Sequence, residues 1–173
     1  TGLMFDCSRN GVLKVEAVKE MMRQAAPMGL NWLLLYTEDT YEVEGYPCFG
    51  ALRGRYTKEE IRECDAYAAQ FGIEMIPCIQ TLAHLRTALR WPAMEKYRDD
   101  ADILLAEEER TYRLIDAMLA SVKDMYRSKR IHLGMAEAFY LGYGNYRRTH
   151  GEVKQGELNR RHLDRVLEIC EKY

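Results

Sequence analysis

The chain alternates between short apolar runs and longer amphipathic segments, and this alternation limits the folds open to it. Residues 2–7 and 30–36 form apolar runs, and the second is almost continuous, as is typical of a strand covered on both faces. Residues 12–26 carry apolar side chains at spacings of three and four, which predicts an amphipathic helix. Because the intervals between strands far exceed a hairpin loop, we expect parallel pairing with right-handed crossovers.

The same alternation continues to the end of the chain. Further strands are predicted over 73–79 and 130–135, and further helices over 58–71, 85–97, 107–126 and 157–172. Thr57 and Glu60 have the spacing of a capping box, whereas Pro77 weakens the third strand because proline cannot donate to a ladder. The result is an α/β fold of four βα units. Four units are an open sheet or half of a (βα)8 TIM barrel.

Composition narrows the possible partners and compartment. With 173 residues the chain has the size of one domain, and its net charge of −2 gives no electrostatic case for nucleic acid or an anionic membrane. No run approaches the ~20 apolar residues that span a bilayer. The five cysteines include no Cys-x-x-Cys pair, which favours free thiols over disulfides or a metal site. We therefore expect a cytoplasmic protein, although a processed N-terminus would hide a signal.

Polar residues follow the predicted strands directly, where parallel α/β folds place their functional groups. These candidate site residues are Arg9, Glu38, Asp39, His84 and Glu137. Glu137 is a lone carboxylic acid after the fourth strand, and an aromatic and glycine-rich segment follows it. Each residue also has a structural interpretation: Arg9 could pair with Asp6, for example, and most acids in a chain with 27 are solvated.

Four segments of the chain carry a family resemblance. They are Leu3-Met4-Phe5-Asp6-Cys7-Ser8-Arg9-Asn10, Leu35-Tyr36-Thr37-Glu38-Asp39-Thr40-Tyr41-Glu42, Pro77-Cys78-Ile79-Gln80-Thr81-Leu82-Ala83-His84 and His132-Leu133-Gly134-Met135-Ala136-Glu137-Ala138. Together they resemble the catalytic barrel of glycoside hydrolase family 20, the β-N-acetylhexosaminidases, and they follow the family's order. The resemblance implies that residues 1–173 are the N-terminal half of a single TIM-barrel catalytic domain.

The resemblance also implies a reaction. Family members remove terminal N-acetylglucosamine or N-acetylgalactosamine by substrate-assisted retaining catalysis, in which the substrate's acetamido oxygen replaces an enzymatic nucleophile. No cofactor or metal is implied. Glu137 matches the general acid, and Arg9 matches the arginine that holds the sugar's 3- and 4-hydroxyls. His84, with Glu38 or Asp39, matches the polar groups behind the acid; the pattern does not decide between the two carboxylates.

The chain departs from the family at Ala136, which stands where the family has an Asp beside its general acid. That Asp orients the acetamido group and stabilises the oxazolinium-like intermediate. Electrostatic stabilisation of this kind contributes ~3–4 kcal/mol, a hundredfold or more in rate. We therefore expect a site that binds the sugar but turns over poorly. Natural loss and engineered substitution both account for Ala136. A milder departure is Ala83, where the family usually has glycine.

Two alternatives to an impaired hydrolase stay open. One is a non-catalytic carbohydrate-binding relative or assembly fragment. The other is an unrelated open α/β enzyme, which is disfavoured because no G-x-G-x-x-G loop follows the first strand. The expected partners are an N-acetylhexosamine-containing glycan and, for a half barrel with open strand edges, the remaining half or another copy of the chain.

Overall fold

The computed structural model describes residues 1–9 and 11–173 and divides them into two compact units. The first comprises Thr1–Ile79 and Ser121–Leu133, and the second comprises Gln80–Ala120 and Gly134–Tyr173. The predicted loop at residues 8–11 includes Asn10, which lies outside the described residues.

A parallel sheet organises the first unit. Its strands are β1 (Gly2–Asp6), β2 (Trp32–Tyr36) and β3 (Glu74–Met75), in the order β1-β2-β3. The register pairs Gly2 with Trp32 and continues to Asp6 and Tyr36, so β1 and β2 end side by side. The loops that carry Arg9 and Glu38 leave the sheet from these two ends.

Helices α1 (Val15–Ala25) and α2 (Lys58–Ala69) are the crossovers of the first unit, and they pack against each other. Helix α1 buries Val18, Met22 and Ala25, which are spaced three and four residues apart, as the sequence predicts. The capping box of α2 is confirmed. The Thr57 side chain accepts a hydrogen bond from the Glu60 amide, and the Glu60 carboxylate accepts one from the Thr57 amide at 2.8 Å.

The third and fourth strands are shorter than predicted. Beyond β3, the Ile76 amide donates to the Leu33 carbonyl at 2.9 Å and Cys78 forms an isolated bridge with Tyr36. The regular ladder is interrupted between them, because Pro77 cannot donate a hydrogen bond. The predicted strand at 130–135 is wrong in extent: within the described residues it forms one parallel bridge, between His132 and Cys78. The extended backbone stops there because Gly134 and Met135 take left-handed φ angles of 78° and 80°.

The second unit contains α3 (Arg86–Leu89), a 3₁₀ helix (Pro92–Tyr97), α5 (Asn145–His150) and α6 (Gln155–Cys170). Helix α4 (Glu109–Met125) begins in this unit, and the division falls between Ala120 and Ser121. An apolar core cluster of the second unit comprises Leu82, Ala83, Ile103, Leu105, Ala106, Leu141, Tyr146 and Leu158.

Two helical predictions in this unit need correction. The single helix predicted over 85–97 is divided into α3 and the 3₁₀ helix, because Pro92 starts a new helical segment and cannot continue the ladder of α3. Helix α5 is absent from the sequence prediction, since the aromatic and glycine-rich segment before it resembles a loop. In the part of the chain that the structure describes, no helix is long and apolar enough to cross a membrane.

Candidate functional site

In the first unit, Arg9 lies between two carboxylates at the carboxyl ends of β1 and β2. Its guanidinium Nη1 is 2.8 Å from Asp6 Oδ2, and its Nη2 is 3.4 Å from Glu38 Oε1. The guanidinium carbon lies 5.6 Å from the centre of the Tyr36 ring. The Arg9 side chain is 57% exposed. It therefore combines a fixed position with donors that solvent, or a ligand's hydroxyls, can reach.

Hydrogen bonds hold the Asp6 carboxylate in this arrangement. Burial opposes its ionisation, but the Ser8 amide and hydroxyl donate to Oδ1 at 2.8 and 2.6 Å, and Arg9 donates to Oδ2. The donors outweigh burial, and the pKa of Asp6 is lowered from its usual value. Burial, with the nearby negative charge of Glu38, raises the pKa of Tyr36 to about 12. This cluster therefore presents ionised Asp6 and a neutral phenol around Arg9.

The structure separates Glu38 and Asp39, which the sequence leaves as equal candidates. Glu38 faces Arg9, whereas Asp39 is fully buried and its Oδ1 lies 3.3 Å from Nε of Arg53. Both residues lie in a bend just after β2, where the chain turns and the two adjacent carboxylates meet different partners. Glu38 shares a cluster with Arg9, and Asp39 holds the loop that carries Arg53.

In the second unit, His84 and Glu137 come together, with His84 Nε2 3.5 Å from Glu137 Oε2. The His84 side chain is largely buried, whereas the Glu137 side chain is 62% exposed. Both residues have left-handed backbones, with φ of 58° and 56°. Non-glycine residues rarely adopt this conformation, and such strain tends to occur at functional sites. Ala136 precedes Glu137 and is exposed.

Two glutamines hold the turn that carries Glu137. The Met135 amide donates to Gln80 Oε1 at 3.3 Å, and Gln155 Nε2 donates to the Ala138 carbonyl at 2.6 Å. Gln80 is buried. These bonds fix the backbone on both sides of Glu137, so the left-handed conformation is held from outside the turn.

The segment after the turn is held by Asp99, which sequence reasoning missed. Asp99 is buried, and its carboxylate accepts the amides of Gly142 at 2.6 Å and Tyr146 at 2.8 Å. Its backbone carbonyl accepts the Asn145 amide at 2.8 Å. No local sequence signal distinguishes Asp99, because its partners lie more than 40 positions away. No group of three or more potential metal ligands occurs in the described part of the chain.

The fold defines a parallel α/β protein. Its candidate site contains a glutamate on a strained backbone that contacts a histidine side chain. The chain belongs to glycosyl hydrolase family 20, because residues 1–169 match that family's catalytic domain. Its fold is therefore of the (βα)8 TIM-barrel type, as predicted, and this chain carries part of it.

The relatives are hexosaminidases. The chain is 28% identical to human Hexosaminidase D over 161 residues, covering 91% of this chain and 33% of that protein. It is 30% identical to the Beta-hexosaminidase of Vibrio furnissii over 175 residues, covering 79% of this chain and 28% of that protein. The chain thus spans about a third of the length of these relatives.

Solved structures show the same fold. The exo-β-N-acetylglucosaminidase of Vibrio harveyi, in complex with N-acetylglucosamine, superposes with a TM-score of 0.84 at 21% identity, covering 99% of this chain and 33% of that one. The Flavobacterium johnsoniae chitobiase gives the same TM-score and identity, covering 99% of this chain and 30% of that one.

Proposed function

We propose that this chain belongs to an exo-β-N-acetylhexosaminidase that removes terminal N-acetylglucosamine or N-acetylgalactosamine from glycans by substrate-assisted retaining catalysis. The observation that carries the proposal is the 3.5 Å contact between His84 and Glu137, on a strained turn within a family 20 domain. Glu137 is the general acid that protonates the leaving oxygen, and His84 orients its carboxyl group.

Arg9, with Glu38 beside it, is the proposed holder of the sugar's hydroxyl groups. The planar guanidinium suits a pair of neighbouring oxygens, and the two ion pairs leave it more than half exposed. Asp39 is less suited to contact the sugar, because it is fully buried against Arg53. We assign it the support of the loop instead.

Ala136 impairs catalysis in this proposal. A methyl group can neither orient the acetamido nitrogen nor complement the positive charge of the intermediate, so the rate should be a hundredfold or more below that of the Asp form. One solved structural neighbour, from Vibrio harveyi, is an inactive mutant in which an Asp is replaced by Ala. That example supports the expectation that replacing one Asp by Ala is enough to impair catalysis.

The test is the hydrolysis of an aryl β-N-acetylglucosaminide by the native gene product, by Ala136→Asp and by Ala136→Asn. We expect Ala136→Asp to raise kcat at least a hundredfold, and Ala136→Asn to raise it much less because the amide carries no charge. Glu137→Gln added to Ala136→Asp should abolish the gain. Hydrolysis by the Ala136 form at the rate of its relatives would refute the impairment.

A non-catalytic sugar-binding relative is the second candidate, and Ala136 next to a largely exposed Glu137 favours it. The same experiment separates the two. If N-acetylglucosamine binds with equal Kd to the Ala136 and Ala136→Asp forms, and neither hydrolyses the aryl substrate, the protein is a binding module.

We propose further that residues 1–173 are the N-terminal half of one barrel domain, completed by the remaining half or by a second copy. Within the described residues β1 pairs on one side only, and Met4 at its centre is half exposed. Native mass spectrometry of the gene product distinguishes a longer chain from a homo-oligomer. The five free cysteines support a cytoplasmic location, which fractionation of expressing cells would test.

A further inference from the structure

Three large aromatic side chains lie exposed on the segment that follows Glu137. Phe139, Tyr140 and Tyr143 are 70%, 65% and 60% exposed. Exposed aromatic side chains grouped on a short segment contribute little to folding, and such groups commonly mark a binding surface. Their position, two to six residues after the proposed general acid, connects them with that acid.

The segment is compact, so Tyr143 stays near Glu137. Three successive turns fold it, through hydrogen bonds from the Phe139 amide to the Glu137 carbonyl at 2.8 Å, from Leu141 to Ala138 at 3.1 Å and from Tyr143 to Tyr140 at 3.0 Å. At ~1.5–2.0 Å per residue of tight turn, the six steps from Glu137 to Tyr143 span about 10 Å. This is the length scale of two linked sugar rings.

The segment is also rigid where Tyr143 stands. The Asp99 carboxylate holds the amides on both sides of it, and Gly144 lies so close that an added Cβ would be 2.0 Å from the Asp99 carbonyl oxygen. A side chain on such a backbone loses little freedom when it meets a ligand, which favours binding. Tyr143 is therefore exposed and held in place, a combination typical of a ligand contact.

Tyr143 borders an open cleft of about 460 Å³ whose other lining residues include Arg98, Asp100, Asn145 and Arg148. The Arg98 guanidinium pairs with Glu95 at 2.9 Å. The Arg148 guanidinium has no hydrogen-bond or ion-pair partner among residues 1–9 and 11–173. The cleft thus offers an aromatic face, a free guanidinium and a carboxylate. This combination suits a sugar ring, which has an apolar face and hydroxyls at its edge.

We propose that this cleft binds the leaving-group sugar of the glycan, the ring on the far side of the glycosidic oxygen from the terminal N-acetylhexosamine. The Tyr143 ring stacks on that sugar, and Arg148 donates hydrogen bonds to its hydroxyls. This inference rests on the proposed function, since it assumes that Glu137 protonates the oxygen between the two rings. Tyr143 and Arg148 then determine which glycans are accepted.

The test compares the binding of two ligands to the protein with Ala136 in place. This form should hydrolyse neither ligand during the measurement. N-acetylglucosamine and its β-linked disaccharide are titrated by isothermal calorimetry and by amide chemical shifts. Covering roughly 50 Å² of the Tyr143 ring predicts about tenfold tighter binding of the disaccharide. Tyr143→Ala should remove this advantage while leaving the Kd of the monosaccharide unchanged, and the amides of Tyr143 and Asn145 should shift with the disaccharide only.

Matched controls come from the same segment. Tyr140→Ala removes an equally exposed tyrosine that does not line the cleft, and it should keep the full disaccharide advantage. Arg148→Met should weaken disaccharide binding several-fold. Arg147→Met should not, because Arg147 pairs with Glu152 outside the cleft.

Three outcomes overturn the proposal: equal loss in Tyr143→Ala and Tyr140→Ala, equal loss for both ligands, or no shift of the Tyr143 and Asn145 amides with the disaccharide. Failure of the proposed function gives a different result. Neither ligand would then shift the amide resonances of His84 and Glu137. The amide resonances of Tyr143 and Asn145 would still show whether the cleft binds a sugar.

Discussion

Replacing Asp99 by alanine should release the segment that follows Glu137. Asp99 is 3% exposed, and its carboxylate is the acceptor for two buried amides, those of Gly142 and Tyr146. Alanine offers no acceptor, and both amides are buried in the present fold. Each amide then stays unsatisfied or pulls the segment out of its present position.

The magnitude follows from those two bonds. A buried donor without a partner costs ~1–3 kcal/mol, so two predict a loss of about 2–6 kcal/mol in the free energy of unfolding. Against a total of ~5–15 kcal/mol for a typical domain, this is a large fraction. Asp99→Asn keeps one acceptor oxygen and should lose about half as much.

The assay is urea unfolding followed by circular dichroism, together with amide hydrogen exchange at Gly142 and Tyr146. Asp100→Ala is the matched control, since Asp100 is exposed and its carboxylate accepts the adjacent Ala101 amide. We expect it to change stability by less than ~0.5 kcal/mol. A loss in Asp99→Ala no larger than in Asp100→Ala, with unchanged exchange at both amides, would refute the reasoning. If Asp99→Ala does not fold, Asp99→Asn carries the comparison.

Three further predictions concern positions elsewhere in the chain. Gly144→Ala should lower Tm, because its Cβ clashes with the backbone at a cost of ~1–3 kcal/mol in the free energy of unfolding. Gly156→Ala, at an open helical position, should raise Tm, and thermal unfolding checks both. Burial lowers the pKa of His162, so folding favours its neutral form. The difference in the free energy of unfolding between wild type and His162→Gln should therefore be largest above the unfolded pKa of ~6.5 and shrink as the pH falls to 5. Urea unfolding above pH 6.5 and at pH 5 measures this difference. A difference that grows at low pH would contradict this sign. Burial also raises the pKa of the Cys78 thiol to about 11, so iodoacetamide at pH 8 should modify half-buried Cys48 first, as peptide mass spectrometry would show.

Sequence patterns predict the elements whose structure is decided locally. The apolar runs give β1 and β2, and the capping box at Thr57 gives the start of α2, because adjacent residues suffice to form them. The sequence predicts too long a fourth strand, since a left-handed backbone at Met135 cannot be inferred from a methionine. Its conformation depends on Gln80, 55 positions away.

The same distinction applies to the candidate site. The rule that functional groups follow strand ends led to His84 and Glu137, and the structure brings these two together. It could not distinguish Glu38 from Asp39, because adjacent carboxylates differ only in the direction of their side chains. No sequence pattern indicates Asp99, since its role exists only after two distant loops meet.

The left-handed backbones at His84, Met135 and Glu137 lower the stability of the folded protein. Each such residue costs ~1–2 kcal/mol relative to a relaxed conformation, and glycine would remove most of that cost, less ~0.5–1 kcal/mol for its greater freedom when unfolded. Under the proposed function, the substitutions that remove acid catalysis at position 137 therefore include one, Glu137→Gly, that stabilises the fold. Selection for that activity and selection for stability therefore oppose each other at this turn. A descendant no longer selected for hydrolysis would evolve toward a more stable, inactive protein.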